Sequence, residues 1–166
     1  VPFDISADYR RDENRRKAQT GSSTATPAEF ADIKHSCRAM KNAIQRANRV
    51  TTRGLNILLE GESGTGKGLF ANAIHNVSNR KDKKLYSINC SAYDATELET
   101  ELLGQEFSGG LRGERQSKQG IFEKAHKSTL YIDEVHALPG HLQIKLLRAL
   151  EDKEVTPIDG KKPKRV

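Results

Sequence analysis

Apolar positions follow a helical period in some segments of the chain and form short continuous runs in others. The run at residues 55–60 (LNILLE) is typical of a strand buried on both faces, and residues 85–89 and 129–133 predict two further strands. Helices are predicted where apolar side chains recur every three or four positions. The stripes are Cys37, Met40, Ile44 and Ala47; Leu69, Phe70, Ala73, Ile74 and Val77; and Leu142, Leu146 and Leu150.

The residues expected at the ends of these helices support the same order of elements. Ser36 is the expected N-cap of the first helix, and Pro139 opens the last one. Strands that alternate with helices predict an α/β fold with parallel pairing and right-handed crossovers. Ligands of such sheets bind at the carboxyl ends of the strands, which is where the chain's glycine-rich turn and its acidic pair are expected.

Composition limits the class of protein. Hydrophobic residues make up 35% and charged residues 30% of the 166 positions, and no stretch approaches the ~20 apolar residues of a membrane span. We therefore expect a cytoplasmic protein without a membrane segment. Residues 1–27 predict a disordered linker or the tail of an upstream domain, and residues 28–166 the folded domain.

Charge and cysteine content add little chemistry. The net charge is +6, and the cluster Lys161, Lys162, Lys164 and Arg165 indicates a solvated loop or a contact with nucleic acid. The two cysteines, Cys37 and Cys90, lie far apart and are expected to be small buried side chains. The histidines lack the spacing of a zinc site.

The strongest chemical signal is the glycine-rich turn at residues 61–67 (GESGTGK), between a predicted strand and a predicted helix. Polyphosphate binding requires inward-facing backbone N–H groups at a helix N-terminus, and glycines permit the turns and the close approach. Lys67 would add a positive charge against the β- and γ-phosphates. The usual Ser or Thr after the lysine is replaced by Gly68.

A pair of carboxylates, Asp133 and Glu134, ends the predicted strand at residues 129–133. Asp133 suits Mg²⁺ coordination, and Glu134 could orient or deprotonate an attacking water. Residues 133–136 (DEVH) also spell a helicase-like DExH box, which leaves a nucleic-acid translocase as an alternative; His136 fits an ordinary loop position equally well.

With these motifs placed, residues 28–166 resemble the AAA+ domain of sigma-54-dependent transcriptional activators, the bacterial enhancer-binding proteins. The family's GESGTGKE is matched at residues 61–68, NCAAL at 89–93, ESELFG at 99–104 and GRFE at 120–123. Its LFLDE, ELP, LQ and KLLRVL segments are matched at residues 130–134, 137–139, 142–143 and 145–150.

The resemblance implies a three-layer P-loop sheet flanked by helices, incomplete at its C-terminal side, that binds ATP with Mg²⁺. It implies that Glu134 is the catalytic base, Asn89 a switch that holds Glu134 until the γ-phosphate is sensed, and Asp133 the metal ligand. Ile33 is expected either to contact adenine or to pack in the core. The other implied nucleotide-binding residues are Gly61, Glu62, Ser63, Gly64, Thr65, Gly66, Lys67, Gly68 and Leu69.

For the whole protein, the resemblance implies a homo-oligomeric ring, expected as a hexamer, that remodels RNA polymerase through its sigma factor. DNA would be bound by a C-terminal domain that these residues do not include. In the family's sheet the next strand, after Val166, lies between the strand before the glycine-rich turn and the acidic strand. We therefore expect unpaired central strands, and weak or no hydrolysis by residues 1–166 alone.

The chain departs from the family at two places. Gly68 replaces the usual glutamate, and residues 109–114 read GGLRGE where the family contacts sigma-54 through GAFTGA. Leu111 takes the place of the contacting Phe, and Arg112 that of Thr. These departures leave two alternatives open: a catalytically silent nucleotide-binding or interaction module, and a regulator of the same family that acts independently of sigma-54.

Overall fold

The computed structural model describes residues 30, 33, 38–107 and 116–166. Its helices are α1 (Arg38–Val50), α2 (Lys67–Asn76), α3 (Ala95–Leu103), α4 (Ile121–Lys124) and α5 (Gly140–Asp152). Its strands are β1 (Leu85–Asn89), β2 (Gly104–Phe107), β3 (Gln116–Gln119), β4 (Thr129–Asp133), β5 (Glu154–Val155) and β6 (Lys164–Arg165). Ser36, Cys37, the expected linker at 1–27 and the loop at 109–114 lie outside the described residues.

The central feature is a parallel pair of strands, β1 and β4. Their register runs from Leu85 opposite Thr129 to Asn89 opposite Asp133. Both strands have the bounds that the apolar pattern predicts, and their parallel pairing confirms the α/β class. Because parallel strands end at the same edge, Asn89 and Asp133 are neighbours at the carboxyl edge of the sheet.

The predicted buried strand at residues 55–60 is wrong. The segment has no assigned helix, turn or strand and joins no sheet in the described part of the chain. Leu58 is 70% and Leu55 57% exposed. The physical reason is that a strand requires a hydrogen-bonded neighbour, and no described segment pairs with these residues. Only Leu59 packs, partly buried, against the cluster that contains Ala73 and Ile74.

Helices cover both faces of the β1–β4 pair, as the three-layer prediction requires. On one face Ile88 and Ile132 pack in a core formed mainly by α3 and α5, in which Leu98 and Leu142 are each 1% exposed. On the other face α2 contacts β4, and the His75 ring bonds the Thr129 hydroxyl. Because successive side chains of a strand point to opposite faces, Thr129, Tyr131 and Asp133 lie on the face that carries α2.

The helical predictions are largely confirmed. Ala47 of α1 and Ala73 and Ile74 of α2 are buried in a second cluster with Phe30, and α5 begins directly after Pro139. Three positions depart from the predicted stripes, because Leu69 is 61%, Leu150 38% and Val77 36% exposed. None of the helices in the described part of the chain has both the length and the apolar character needed to cross a membrane.

The antiparallel strands β2 and β3 flank the segment at 108–115. At the base of this hairpin the backbones of Gly104 and Gly120 lie in close contact. A Cβ on Gly120 would lie 2.4 Å from the Gly104 nitrogen and 2.3 Å from the Leu103 carbonyl carbon. The second hairpin, β5–β6, is joined to β2 through the Ile158 backbone, whose N–H donates to the Gly104 oxygen at 2.9 Å. Lys164 lies within 3.1 Å of Glu123 and 3.5 Å of Glu106, so an ion pair reinforces this junction.

Candidate nucleotide site

The glycine-rich turn at residues 61–66 adopts the backbone geometry that the sequence predicts. Gly64 has φ 78° and Gly66 has φ 88°, values in the left-handed region that side chains with a Cβ rarely adopt. Thr65 closes the turn, since its hydroxyl donates to the Glu62 carbonyl at 2.7 Å. Residues 61–65 are all exposed, so their backbone is accessible to a ligand.

The N-terminus of α2 carries no side-chain cap. Gly66 occupies the N-cap position, and no side chain in the described residues accepts a hydrogen bond there. The first N–H groups of a helix have no intrahelical acceptor, and the helix dipole favours an anion at this end. The turn and the helix therefore leave a set of backbone donors suited to phosphate oxygens.

Lys67 bends back over the turn. Its ammonium group donates to the carbonyl oxygens of Gly61 and Glu62, at 3.0 Å each. These neutral acceptors hold the charge beside the backbone donors of the turn. A phosphate group is a stronger acceptor for an ammonium than a carbonyl is, so Lys67 is placed to exchange these bonds for bonds to a ligand.

The acidic pair lies at the C-terminal end of β4. The Asp133 Oδ1 atom accepts hydrogen bonds from the Tyr131 hydroxyl at 2.8 Å and from the Glu134 N–H at 3.1 Å. On the adjacent strand, the Asn89 side chain accepts from the Ser91 N–H at 2.9 Å and caps a short 3-10 turn. Asn89 therefore satisfies local backbone at the position where the resemblance implies a switch.

Glu134 has an uncommon backbone conformation. Its φ of 51° and ψ of 44° are left-handed, where a residue with a Cβ is strained by about 1 kcal/mol or more. Its carboxylate lies 3.4 Å from the His136 ring, which is largely exposed. This left-handed residue directly follows Asp133, the last residue of β4.

Two groups beside Asp133 have raised pKa values. Burial, with a smaller contribution from the Asp133 charge, raises the pKa of the Cys90 thiol to about 11. Burial and the hydrogen bond to Asp133 raise the pKa of Tyr131 above its ordinary value. Both groups are therefore protonated at neutral pH, and Tyr131 is a hydrogen-bond donor there. Cys90 is 2% exposed, which confirms its expected role as a small buried side chain.

Ile33 is partly buried against the cluster of Phe30, Ala47, Ala73 and Ile74. This packing is the core role that was expected as the alternative to an adenine contact.

Two site residues were missed from the sequence. His75 is buried, and its ring bonds Thr129 of β4 and the Lys83 carbonyl, so it ties α2 to the sheet. The Tyr131 hydroxyl donates to Asp133. This contact could have been predicted from the sequence, because residues two apart in a strand share a face.

Metal binding at this site would rely on few protein ligands. In the residues that the structure describes, no group of three or more His, Cys, Asp or Glu side chains converges as a metal cage. Mg²⁺ is commonly held by one or two carboxylates together with waters and substrate phosphates, so a single Asp133 beside a phosphate-binding turn fits Mg²⁺ chemistry.

A parallel αβ core, a glycine turn at an uncapped helix and a carboxylate at the neighbouring strand end define the class of P-loop nucleotide-binding domains. Comparison with known proteins identifies the family within this class. Residues 33–166 match the family described as the sigma-54 interaction domain, and the chain belongs to that family.

Named relatives agree with this assignment. The chain is 40% identical over 131 residues to the DNA-binding transcriptional activator HyfR of Escherichia coli, an alignment that covers 79% of this chain and 19% of HyfR. It is 40% identical over 138 residues to a Nif-specific regulatory protein of Rhizobium leguminosarum, covering 83% of this chain and 38% of that protein. The chain thus spans about a fifth to two fifths of the length of these relatives.

Solved structures with the same fold include NtrX from Brucella abortus. Its complex with ADP superimposes with a TM-score of 0.71 at 28% identity, over 99% of this chain and 35% of that one. Its complex with ATP gives a TM-score of 0.67 at 28% identity, over 97% of this chain and 33% of that one.

Proposed function

We propose that this chain is the ATP-binding part of a bacterial transcriptional activator that hydrolyses ATP to remodel RNA polymerase holding a sigma-54-type factor. The observation that carries the proposal is the glycine turn at residues 61–66, which leads into the uncapped N-terminus of α2 with Lys67 folded over it. Family membership and the ADP and ATP complexes of NtrX support adenine nucleotide as the ligand.

The contact between the end of α2 and the start of β4 supports a shared cleft for Lys67 and Asp133. The last turn of α2 meets the first residue of β4 through His75 and Thr129. From His75 back to Lys67 the helix rises ~12 Å, and from Thr129 to Asp133 the strand rises ~13 Å. A helix that runs back along the strand over this length brings its N-terminus toward Asp133.

In this proposal the chain's own groups divide the work of ATP hydrolysis. Backbone N–H groups of residues 61–69 and the Lys67 ammonium bind and orient the phosphates, and Asp133 holds Mg²⁺. Bound Mg²⁺ would neutralise developing charge on the phosphate oxygens. Glu134 accepts the proton of the water that attacks the γ-phosphorus, and ADP leaves. Asn89 holds Glu134 away from that water until the γ-phosphate is bound.

The partners and the assembly belong to the same proposal. The whole protein would form a homo-oligomeric ring, expected to be a hexamer, act in the cytoplasm on the sigma factor of RNA polymerase, and bind DNA through a separate domain. The names of the relatives, transcriptional activators and Nif-specific regulators, support this over a DExH-type translocase.

Measurement of ATP affinity by calorimetry for wild type, Lys67→Ala and Lys81→Ala tests the phosphate role. Lys81 is an exposed lysine in the turn after α2 and matches the loss of charge. Loss of a charged hydrogen bond of about 1.5–3 kcal/mol predicts an affinity roughly 10- to 100-fold lower for Lys67→Ala. Lys81→Ala is expected to bind as wild type does. Equal ATP affinities for all three proteins would contradict a role for Lys67 in phosphate binding.

Hydrolysis distinguishes the ATPase from the catalytically silent alternative. Glu134→Gln keeps the shape of the side chain but removes the base, so it is expected to bind ATP as wild type does and to lose turnover. The measurement is phosphate release in the full-length protein. Turnover that is absent in wild type, or unchanged in Glu134→Gln, contradicts the proposed role of Glu134.

A further inference from the structure

Tyr131 and Asp133 lie on the same face of β4, two residues apart, and their side chains are joined. The Tyr131 hydroxyl donates to Asp133 Oδ1 at 2.8 Å, and both residues are partly buried. The face they share also carries Thr129, which bonds His75 of α2. The phenol therefore lies between the contact that fixes α2 to the sheet and the carboxylate at the carboxyl edge.

The two oxygens of Asp133 are in different situations. Oδ1 accepts two hydrogen bonds, from the Tyr131 hydroxyl and from the Glu134 N–H at 3.1 Å. Oδ2 accepts none from the residues that the structure describes. A carboxylate oxygen offers about two lone-pair sites, so Oδ1 is filled and Oδ2 is the oxygen left for a further ligand.

We propose that Tyr131 is a positioning residue, whose hydroxyl fixes the Asp133 carboxylate so that Oδ2 alone is presented to the Mg²⁺ of a bound nucleotide. The inference rests on the proposed function, because it assigns a partner to the metal-binding carboxylate of that site. Tyr131 touches neither nucleotide nor metal in this arrangement, and it acts only through Asp133.

The physical reason is preorganisation. A carboxylate at a strand end can rotate about its side-chain torsions, and it loses that freedom when a metal binds. A donor in a fixed position removes this freedom in advance. Mg²⁺ requires near-ideal octahedral geometry and keeps several waters, so it suits one well-aimed oxygen better than a mobile pair. Hydrogen-bond partners of metal ligands typically change metal affinity about 10- to 100-fold when they are removed.

The hydroxyl can be removed without removing the ring. Tyr131→Phe keeps the aromatic ring and deletes only the hydroxyl that donates to Asp133. The matched control is Tyr86→Phe on β1, which removes a hydroxyl from the neighbouring strand; its ring lies under the Lys84 ammonium at 5.2 Å and bonds no atom of Asp133. Asp133→Asn serves as the reference for loss of the metal ligand.

The readout is a ratio of affinities. For each protein, ATP binding is measured by calorimetry with excess Mg²⁺ and again with EDTA, and the Mg²⁺ enhancement is the quotient of the two. Tyr131→Phe is expected to lower the enhancement about tenfold and to leave the affinity in EDTA unchanged. Asp133→Asn is expected to abolish the enhancement, and Tyr86→Phe to preserve it. Thermal unfolding of each variant identifies any general loss of folding.

The outcomes separate this inference from the proposal on which it rests. A full enhancement in Tyr131→Phe, with the enhancement lost in Asp133→Asn, overturns the role of Tyr131 and keeps Asp133 as the ligand. An unchanged enhancement in Asp133→Asn overturns both. Equal losses in Tyr131→Phe and Tyr86→Phe would mean that the effect comes from sheet packing, which also overturns the positioning role.

Discussion

At the scale of single residues, the candidate site contains groups whose chemistry is set by their surroundings. Cys90 follows directly after β1 and is 2% exposed beside the Asp133 charge, so its thiol is held protonated. Glu134 keeps a left-handed backbone at the end of β4. The burial of Cys90 was expected for a cysteine, whereas the left-handed backbone of Glu134 cannot be read from residue type.

Alkylation of Cys90 tests this environment. Because the folded pKa is about 11 against an ordinary 9.0, Cys90 carries about 100-fold less thiolate at pH 8 than an exposed cysteine. We expect slow labelling by iodoacetamide in the folded protein and rapid labelling in urea, followed by peptide mass spectrometry. As pH rises, the labelling rate should keep increasing toward pH 11, whereas that of an exposed thiol levels off above its ordinary pKa.

The raised pKa of Cys90 also makes its contribution to the free energy of unfolding depend on pH. The folded state holds the thiol proton more tightly than the unfolded state, so the contribution of Cys90 to the free energy of unfolding falls as pH rises from about 9 to about 11. A matched control is Cys90→Ala combined with Ser91→Cys, which moves the thiol to an exposed neighbouring position. Equal labelling rates for the two proteins would contradict the buried environment.

At the scale of elements, backbone contact limits substitution at the base of the β2–β3 hairpin. Gly120 has φ −75°, a conformation open to any residue, yet a Cβ there would lie 2.4 Å from the Leu102 oxygen. The restriction comes from the approach of two backbone segments, because Gly104 crosses at the same point with φ 79°. A Cβ cannot be accommodated unless β3 moves away from the end of α3.

We therefore expect Gly120→Ala to lower the free energy of unfolding by about 1–3 kcal/mol, the usual range for overpacking. Gly140→Ala is the matched control, since a Cβ at Gly140 meets nothing within 4 Å at the start of α5. That variant is expected to be neutral or up to about 1 kcal/mol more stable, because alanine is the better helix former. Urea unfolding measures both, and comparable stabilities for the two variants would contradict the close crossing.

At the scale of the whole molecule, the β1–β4 pair is complete while residues 55–60 have no sheet partner in the described part of the chain. The glycine turn thus follows a largely exposed segment that belongs to no sheet, although the turn itself keeps its left-handed glycines. The turn is maintained locally by the Thr65 and Lys67 bonds to the Glu62 carbonyl. The sheet contributes little to holding the turn's N-terminal side.

Amide hydrogen exchange tests this division. Amides of residues 55–60 are expected to exchange near the rate of an unstructured peptide, since no ladder protects them, while amides of β1 and β4 exchange slowly. Mass spectrometry of peptides that cover residues 55–60, 85–89 and 129–133 measures the contrast within one sample. Equal protection of all three segments would mean that residues 55–60 have a partner in solution.

The sequence by itself determined the local chemistry. The glycine turn, Lys67, Asp133 and the bounds of β1 and β4 were all predictable, because turn glycines and apolar runs act over a few residues. Only the tertiary structure decided the rest. Tertiary contacts decide the exposure of residues 55–60, the Gly104–Gly120 crossing and the Tyr131–Asp133 bond. Burial and hydrogen bonding depend on which segments pack together and not on the residue types alone.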